Sequence, residues 1–194
     1  HRDNGREPRF YATIGFNACV WPCTSYRGSD SGVKNYVTDY YSGGSASNLN
    51  DNNHRNRTGY TNRKYVNQDD CIVWEGTCKA KTYPLFRYAE VLLGYVEAMN
   101  EMEGSYTDEE AQVTVTRDVD QMVSYFNQIR YRAGQPGITA ADASDQAKMR
   151  DLIMHERQIE FAFEGQRFWD LRRWKDAYEA YNRPVRGLDV SASQ

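Results

Sequence analysis

Five ring side chains, Trp21, Tyr26, Tyr36, Tyr40 and Tyr41, fall in or beside a stretch that is otherwise polar and rich in turn formers. Trp and Tyr join a flat apolar face to a polar tip, so they can stack on the C–H side of a pyranose ring and hydrogen-bond at its edge. Arg27, Asn35 and Asp39 lie close by in sequence and are the expected edge partners. The competing reading of each ring is that it pins the loop to the core. A purely solvating linker carries few rings, so the recurrence of tyrosines indicates a loop that folds over something.

A second group with chemical potential is Glu156, Glu160 and Glu164, whose four-residue steps align them on one helical face. Two such carboxylates could serve as acid and base in glycoside hydrolysis. Three like charges in a row repel one another unless cations intervene, and Arg157, Arg167, Arg172 and Arg173 are near enough in sequence to supply them. An ion network tying the last helices together is therefore the preferred reading, and no catalytic residue is assigned.

Cys19, Cys23, Cys71 and Cys78 make two short-range pairs within the first 80 residues. An even number in a loop-rich segment favours disulfides, which would place the chain outside the cytosol; free buried thiols and a metal site stay open as alternatives. Structural zinc usually shows a two-residue gap in a knuckle, whereas the gaps here are three and six residues. No metal and no cofactor is assigned. Histidine is scarce, with only His1, His54 and His155, and HERQI at residue 155 lacks the second histidine of a zinc protease helix. The NDNNHRN run at residues 50–56 offers oxygen ligands for calcium but no well-placed glutamate, and Asn56 opens an NRT glycosylation sequon.

The elements that must position these groups can be read from pattern. With 194 residues, 40% hydrophobic and 26% charged, the chain can bury one sizeable core and is neither collagen, coiled-coil rod nor membrane-spanning protein. Its 13% aromatic content, including 15 tyrosines, coexists with a mean hydropathy of −0.84, which suggests rings placed where water also reaches. A net charge of −3 argues against a broad electrostatic grip on nucleic acid. No run approaches the roughly 18–20 apolar residues of a spanning helix. The opening HRDNGREPRF has no methionine and no apolar signal core, so either a leader has been removed or the chain is part of a longer polypeptide.

Residues 10–21 (FYATIGFNACVW) read as one or two short strands, Thr24 to Gln68 as a long polar loop, and residues 71–83 (CIVWEGTCKAKTY) as a further strand with Trp74 in the core. The spacing then predicts helices. The first covers 84–103 along Leu85, Tyr88, Ala89, Leu92, Val96 and Met99, opened by Pro84 and stopped by Gly104. The second covers 118–132, capped by Thr116, with Val119, Met122, Val123, Phe126 and Ile129 as its stripe and Gly134 at its end. The third runs from 144 to 163 along Met149, Leu152, Ile153, Ile159 and Phe163 to Gly165, and a short fourth carries 168–177. The rings of Tyr88, Tyr95 and Phe126 are expected in the core. Paired helices of this length form tetratricopeptide-type hairpins, which generally need three or more stacked units, so a longer protein is expected.

Five segments together carry a resemblance: NGREPRFYATIGFN at 4–17, TGYTNRKYV at 58–66, FRYAEVLLGYVEAMNEMEG at 86–104, FNQIRYRAG at 126–134 and ERQIEFAFEGQRFWDLRRW at 156–174. In that order the chain resembles the C-terminal part of the SusD/RagB family, leaving chiefly residues 24–57 outside the match. The resemblance implies a mainly α fold of tetratricopeptide-like helical hairpins with an irregular, loop-rich region containing short strands. Residues 1–80 would be the ligand-facing region and 81–194 the helical part of one C-terminal domain.

The same resemblance implies an outer-membrane lipoprotein of Bacteroidetes on the extracellular face. It would capture glycans or other nutrients and pass them to a TonB-dependent SusC-like transporter, without catalysis. Membrane contact would come only through a lipid anchor absent from this chain, and no nucleic-acid partner is expected. In the family the Glu156–Trp174 motif is structural. Two rival readings are a helical-repeat docking module that binds no ligand itself and a surface glycosidase using the glutamate trio.

Overall fold

Apolar residues at three- and four-residue steps fold into helices after residue 84, while the ring-rich start of the chain folds into short paired strands. In the computed structural model, which describes residues 5–46 and 56–190, the elements run α1 (Pro8–Thr13), β1 (Ile14–Phe16), β2 (Val20–Trp21), β3 (Tyr36–Val37), β4 (Tyr60–Asn62), α2 (Tyr88–Asn100), β5 (Ser105–Asp108), β6 (Val113–Thr116), α3 (Val119–Arg132), α4 (Ala140–Ser144), α5 (Gln146–Glu160), α6 (Gln166–Arg173) and α7 (Ala177–Asn182). The chain forms two units, Phe10–Tyr83 with Lys175–Gln194 and His1–Arg9 with Pro84–Trp174. The sequence reading divides the chain near residue 80; these units divide at Tyr83–Pro84 and exchange the chain ends.

The helical unit is built on α2, which packs against α3 and α5. Leu92, Leu93, Val96, Met99, Met122, Phe126, Ile129, Met149, Ile153 and Phe161 fill its core. Two buried amides hold the connections. Asn127 donates to Ile138 O at 3.0 Å and accepts from Ile138 N–H at 2.7 Å, imitating a backbone pair for the loop after α3. Asn100, fully buried, donates to Gln146 O at 3.0 Å and accepts from Arg117 at 2.9 Å. Such groups are costly to bury unless both ends are bonded, as here.

Several boundaries differ from the periodic pattern. α2 starts at Tyr88 because Arg87 is extended (φ −147, ψ 159) with its guanidinium committed to Glu164 at 2.8 Å. Leu85 therefore precedes the helix and is exposed, and Tyr88 is exposed rather than in the core. Residues 105–116, unassigned by pattern, form the β5–β6 hairpin with Tyr106 opposite Val115. Thr116 ends β6, so the cap of α3 is Asp118, whose carboxylate accepts from Gln121 N–H at 3.0 Å. The expected third helix is two: Asp145, extended at φ −80 and ψ 110, closes α4 and caps α5 by accepting from Ala147 and Lys148 N–H. Phe163 is exposed and left-handed at φ 65, beyond the end of α5, and Gly165 at φ 79 opens α6 instead of stopping α5. No helix among the described residues is long and apolar enough to cross a membrane.

In the irregular unit the strands pair antiparallel as β1 with β4 and β2 with β3. Phe10 to Thr13 are helical rather than strand, following Pro8 in the first turn, and the rings of Phe10 and Tyr11 lie 5.4 and 5.8 Å from that of Phe16. The strand expected at 71–83 is also absent. Cys71 N–H donates to Thr77 O and Gly76 N–H to Val73 O, closing a tight loop that throws Ile72 (94% exposed) and Trp74 (97% exposed) outward. Trp74 is thus a surface residue, the reverse of the core placement that its apolar neighbours suggest.

Candidate functional site: an aromatic-lined cavity

The two short sheets of the irregular unit converge on a cavity of about 730 Å³. Trp21 and Tyr36 face each other as direct register partners of β2 and β3, and both line it, as does Tyr40. Register pairing explains why two side chains fifteen positions apart meet, since opposite residues on paired strands project to the same side.

Trp21 and Tyr40 are fixed by their surroundings. The Trp21 indole N–H donates to Thr38 Oγ1 at 3.2 Å, and the Arg63 guanidinium stands 5.1 Å over the indole while donating to Val20 O at 3.0 Å. Gly15 lies beneath: a Cβ there would come within 2.8 Å of Trp21 Cζ2, so the indole can settle only on a residue without a side chain. Tyr40 is buried, its N–H donating to Asn17 Oδ1 at 2.8 Å and its hydroxyl 2.9 Å from Thr61 Oγ1. Burial raises the Tyr40 phenol above its ordinary value despite that bond, so the hydroxyl stays a neutral donor or acceptor. Asp30, Thr38, Thr61, Asn62 and Asp70 also line the cavity, together with Val33, Ile72 and Val73; Asp30 Oδ1 accepts from Gly32 N–H, Asn62 Oδ1 from Lys64 N–H, and the Asp70 carboxylate from Asn67 and Lys79 N–H.

The other two predicted rings do different work. Tyr26 is buried at 3% exposure, its hydroxyl accepting from Asp30 N–H at 3.2 Å, so it holds the turn that presents Asp30. Tyr41 is half-buried and does not line the cavity. The predicted edge partners also lie elsewhere: Arg27 donates to Thr24 O, Asn35 occupies a left-handed turn at φ 57, and Asp39 O accepts from Ala46 N–H. Asp30, Asn62 and Asp70, which do reach the cavity, had no periodic signal, because turns place side chains by local hydrogen bonds instead of by spacing. In the NDNNHRN run, residues 50–55 lie outside the described residues. Asn56 accepts from the N–H groups of Thr58 and Gly59 and donates to Tyr60 O.

The glutamate trio is an ion network, with partners other than those expected. Glu156 meets Arg9 and Arg130, the latter at 3.0 Å; Glu160 meets Arg9, Arg87 and Arg132; Glu164 meets Arg87. Arg157 instead forms a buried two-pronged pair with Asp170, both bonds at 2.9 Å, and Arg173 joins Asp170 at 2.8 Å. Arg172 donates to Phe168 O and stacks on that ring. None of the three carboxylates lines the aromatic cavity. All four cysteines are free thiols, Cys19 and Cys71 buried, and no cluster able to hold a metal ion occurs among the described residues.

The described residues comprise a unit of helical hairpins and an irregular unit whose rings line one cavity, and no cluster among them could hold a metal ion. The SusD family profile matches residues 1–194, and the chain belongs to that family. A SusD-like protein from Bacteroides fragilis superposes with a TM-score of 0.67 at 32% identity, covering 91% of this chain and 29% of that one. A SusD-like carbohydrate binding protein from the same species gives a TM-score of 0.59 at 32% identity, covering 92% and 31%. SusD-like protein P2 of Formosa agariphila is 33% identical over 111 residues, 55% of this chain and 19% of that protein. The chain thus spans about a fifth of the curated relative and under a third of the solved ones. The fold is the mainly α, tetratricopeptide-like architecture of these structures.

Proposed function

We propose that this chain is the glycan-contacting part of a non-catalytic cell-surface capture protein, lipid-anchored in the outer membrane, that hands its ligand to a TonB-dependent SusC-like transporter. The observation that carries the reading is the convergence of Trp21, Tyr36 and Tyr40 on one cavity edged by Asp30, Asn62 and Asp70. Flat faces flanked by carboxylate and amide oxygens suit a sugar ring, whose C–H side stacks while its hydroxyls donate outward. Membership of the SusD family and the likeness to a SusD-like carbohydrate binding protein support the same ligand class.

Calorimetry on the full-length protein against a panel of polysaccharides tests it. At least one glycan should bind, and a Trp21→Ala, Tyr36→Ala double variant should weaken that binding roughly 10- to 100-fold, the combined worth of two stacking contacts. Silence across the panel, or binding unaffected by the double variant, would overturn the assignment. Co-purification of the transporter with the wild-type protein checks delivery separately.

A further inference from the structure

Two cysteines from distant parts of the irregular unit, Cys23 and Cys71, line the same cavity. Residues 24–27 are clasped to 68–77: Thr24 N–H donates to Gln68 O at 3.0 Å, Arg27 N–H to Glu75 O at 3.1 Å, and Ser25 Oγ to Thr77 O at 3.0 Å while accepting from Thr77 N–H at 3.0 Å. The clasp brings Cys23 and Cys71 to one wall: both residues line the cavity, and Cys71 is the side chain that acts most strongly on the Cys23 thiol. Neither backbone is free to drift. Cys71 N–H is tied to Thr77 O at 3.0 Å, and Cys23 sits at φ 47, a left-handed conformation that a non-glycine residue keeps only where its surroundings fix it.

The remaining two thiols are otherwise engaged. Cys19 is buried with its sulfur 3.1 Å from Thr38 Oγ1, and Cys78, exposed, directs its thiol to Cys71 O at 3.7 Å. Sequence spacing groups Cys19 with Cys23 and Cys71 with Cys78; the fold places Cys23 and Cys71 on one cavity wall.

We propose that Cys23 and Cys71 form a disulfide that staples the wall of the cavity. Each thiol gives up its proton, a sulfur–sulfur bond forms, and the two electrons pass to an external disulfide, of the oxidoreductase or glutathione type, which is cleaved to two thiols. Burial and the neighbouring Cys71 hold the Cys23 thiol above its ordinary value, so little thiolate forms and closure by thiol–disulfide exchange is slow near neutral pH and faster as pH rises. The closed loop contains Tyr36 and Tyr40, so the bond restrains the segment that carries two of the three rings. The oxidising setting follows from the surface location proposed above; the pairing rests on the backbone clasp and on the cavity wall that the two cysteines share.

The purified chain is oxidised with glutathione disulfide, unfolded, alkylated and digested with trypsin. The expected result is two alkylated cysteines, and a join between the peptides Phe10–Arg27 and Tyr65–Lys79 that survives in Cys19→Ser and Cys78→Ser and vanishes in Cys23→Ser and Cys71→Ser. Oxidised wild type should melt about 5–10 °C above the reduced form, with Cys23→Ser indifferent to reductant. Four alkylated cysteines, or a bond confined to one of the two peptides, would overturn the pairing. Because the assay contains no glycan, its failure is distinct from a failure of ligand binding.

Discussion

Trp21 owes its place to a residue with no side chain. A methyl group on Gly15 would press against Thr61 Oγ1 and within 2.8 Å of the indole, so Gly15→Ala must displace the Thr61 hydroxyl and crowd Trp21. The variant is expected to lose about 1–3 kcal/mol of stability by overpacking and to bind glycan several-fold more weakly, read by chemical denaturation and calorimetry. Tyr26 gives the opposite signature. Its hydroxyl meets Asp30 N–H, so Tyr26→Phe should cost about 1 kcal/mol and weaken ligand binding only slightly, through the Asp30 turn, since the ring itself lies outside the cavity lining. These contrasts also mark what a sequence can say at this scale. The ring types and their polar setting were legible, but Trp21 and Tyr26 look alike in a turn-rich stretch, because only strand register and turn hydrogen bonds decide which ring faces a cavity. Trp74 failed for the same reason: CIVW reads as a strand, yet the Cys71–Thr77 closure turns it outward.

At the scale of elements, α5 is the spine of the helical unit, and its buried carboxylates are its most exacting feature. Burial alone would push the Glu160 carboxyl up, but the guanidiniums of Arg87, Arg9 and Arg132 outweigh it and hold the group below its ordinary value of 4.5. A carboxyl lowered in the folded state adds stability that is full above the unfolded value and is lost as pH falls through the folded one. Urea unfolding should therefore show stability declining as pH drops below about 4.5, and the decline should be shallower in Glu160→Gln, which starts lower because three arginines lose a partner. The helix stripes were plain from three- and four-residue spacing, as Leu92, Val96, Met122, Phe126 and Ile153 attest. The breaks were not. Arg87 and Asp145 end or start helices through side-chain bonds, and the cations of the glutamate trio come from Arg9, Arg87, Arg130 and Arg132, remote positions that no local pattern connects.

For the whole molecule, a net charge of −3 and a cavity edged by carboxylates and an amide imply recognition by stacking and hydrogen bonds instead of long-range attraction. Affinity of the full-length protein for a neutral glycan should change less than about twofold between roughly 0.05 and 0.5 M salt, checked by repeating the calorimetry; a steep loss would point to a charged ligand. Family membership was readable from the five segments quoted above because they combine helical stripes with the arginine and glutamate positions of the ion network. The division into units was less so, since the return of Lys175–Gln194 to the first unit depends on contacts such as Leu188 N–H to Thr58 O at 2.8 Å.

The distribution of indoles makes the protein its own optical instrument. Trp74 is almost bare, Trp169 is exposed, and Trp174 is tied through its N–H to Glu97 at 2.7 Å, whereas Trp21 sits under a guanidinium at the cavity wall. Iodide should extinguish the emission of Trp74 first, then that of Trp169, ahead of the half-buried Trp21 and Trp174. In a Trp74→Phe, Trp169→Phe, Trp174→Phe background, the remaining emission comes from Trp21 alone and would follow occupancy of the cavity directly, without any attached dye.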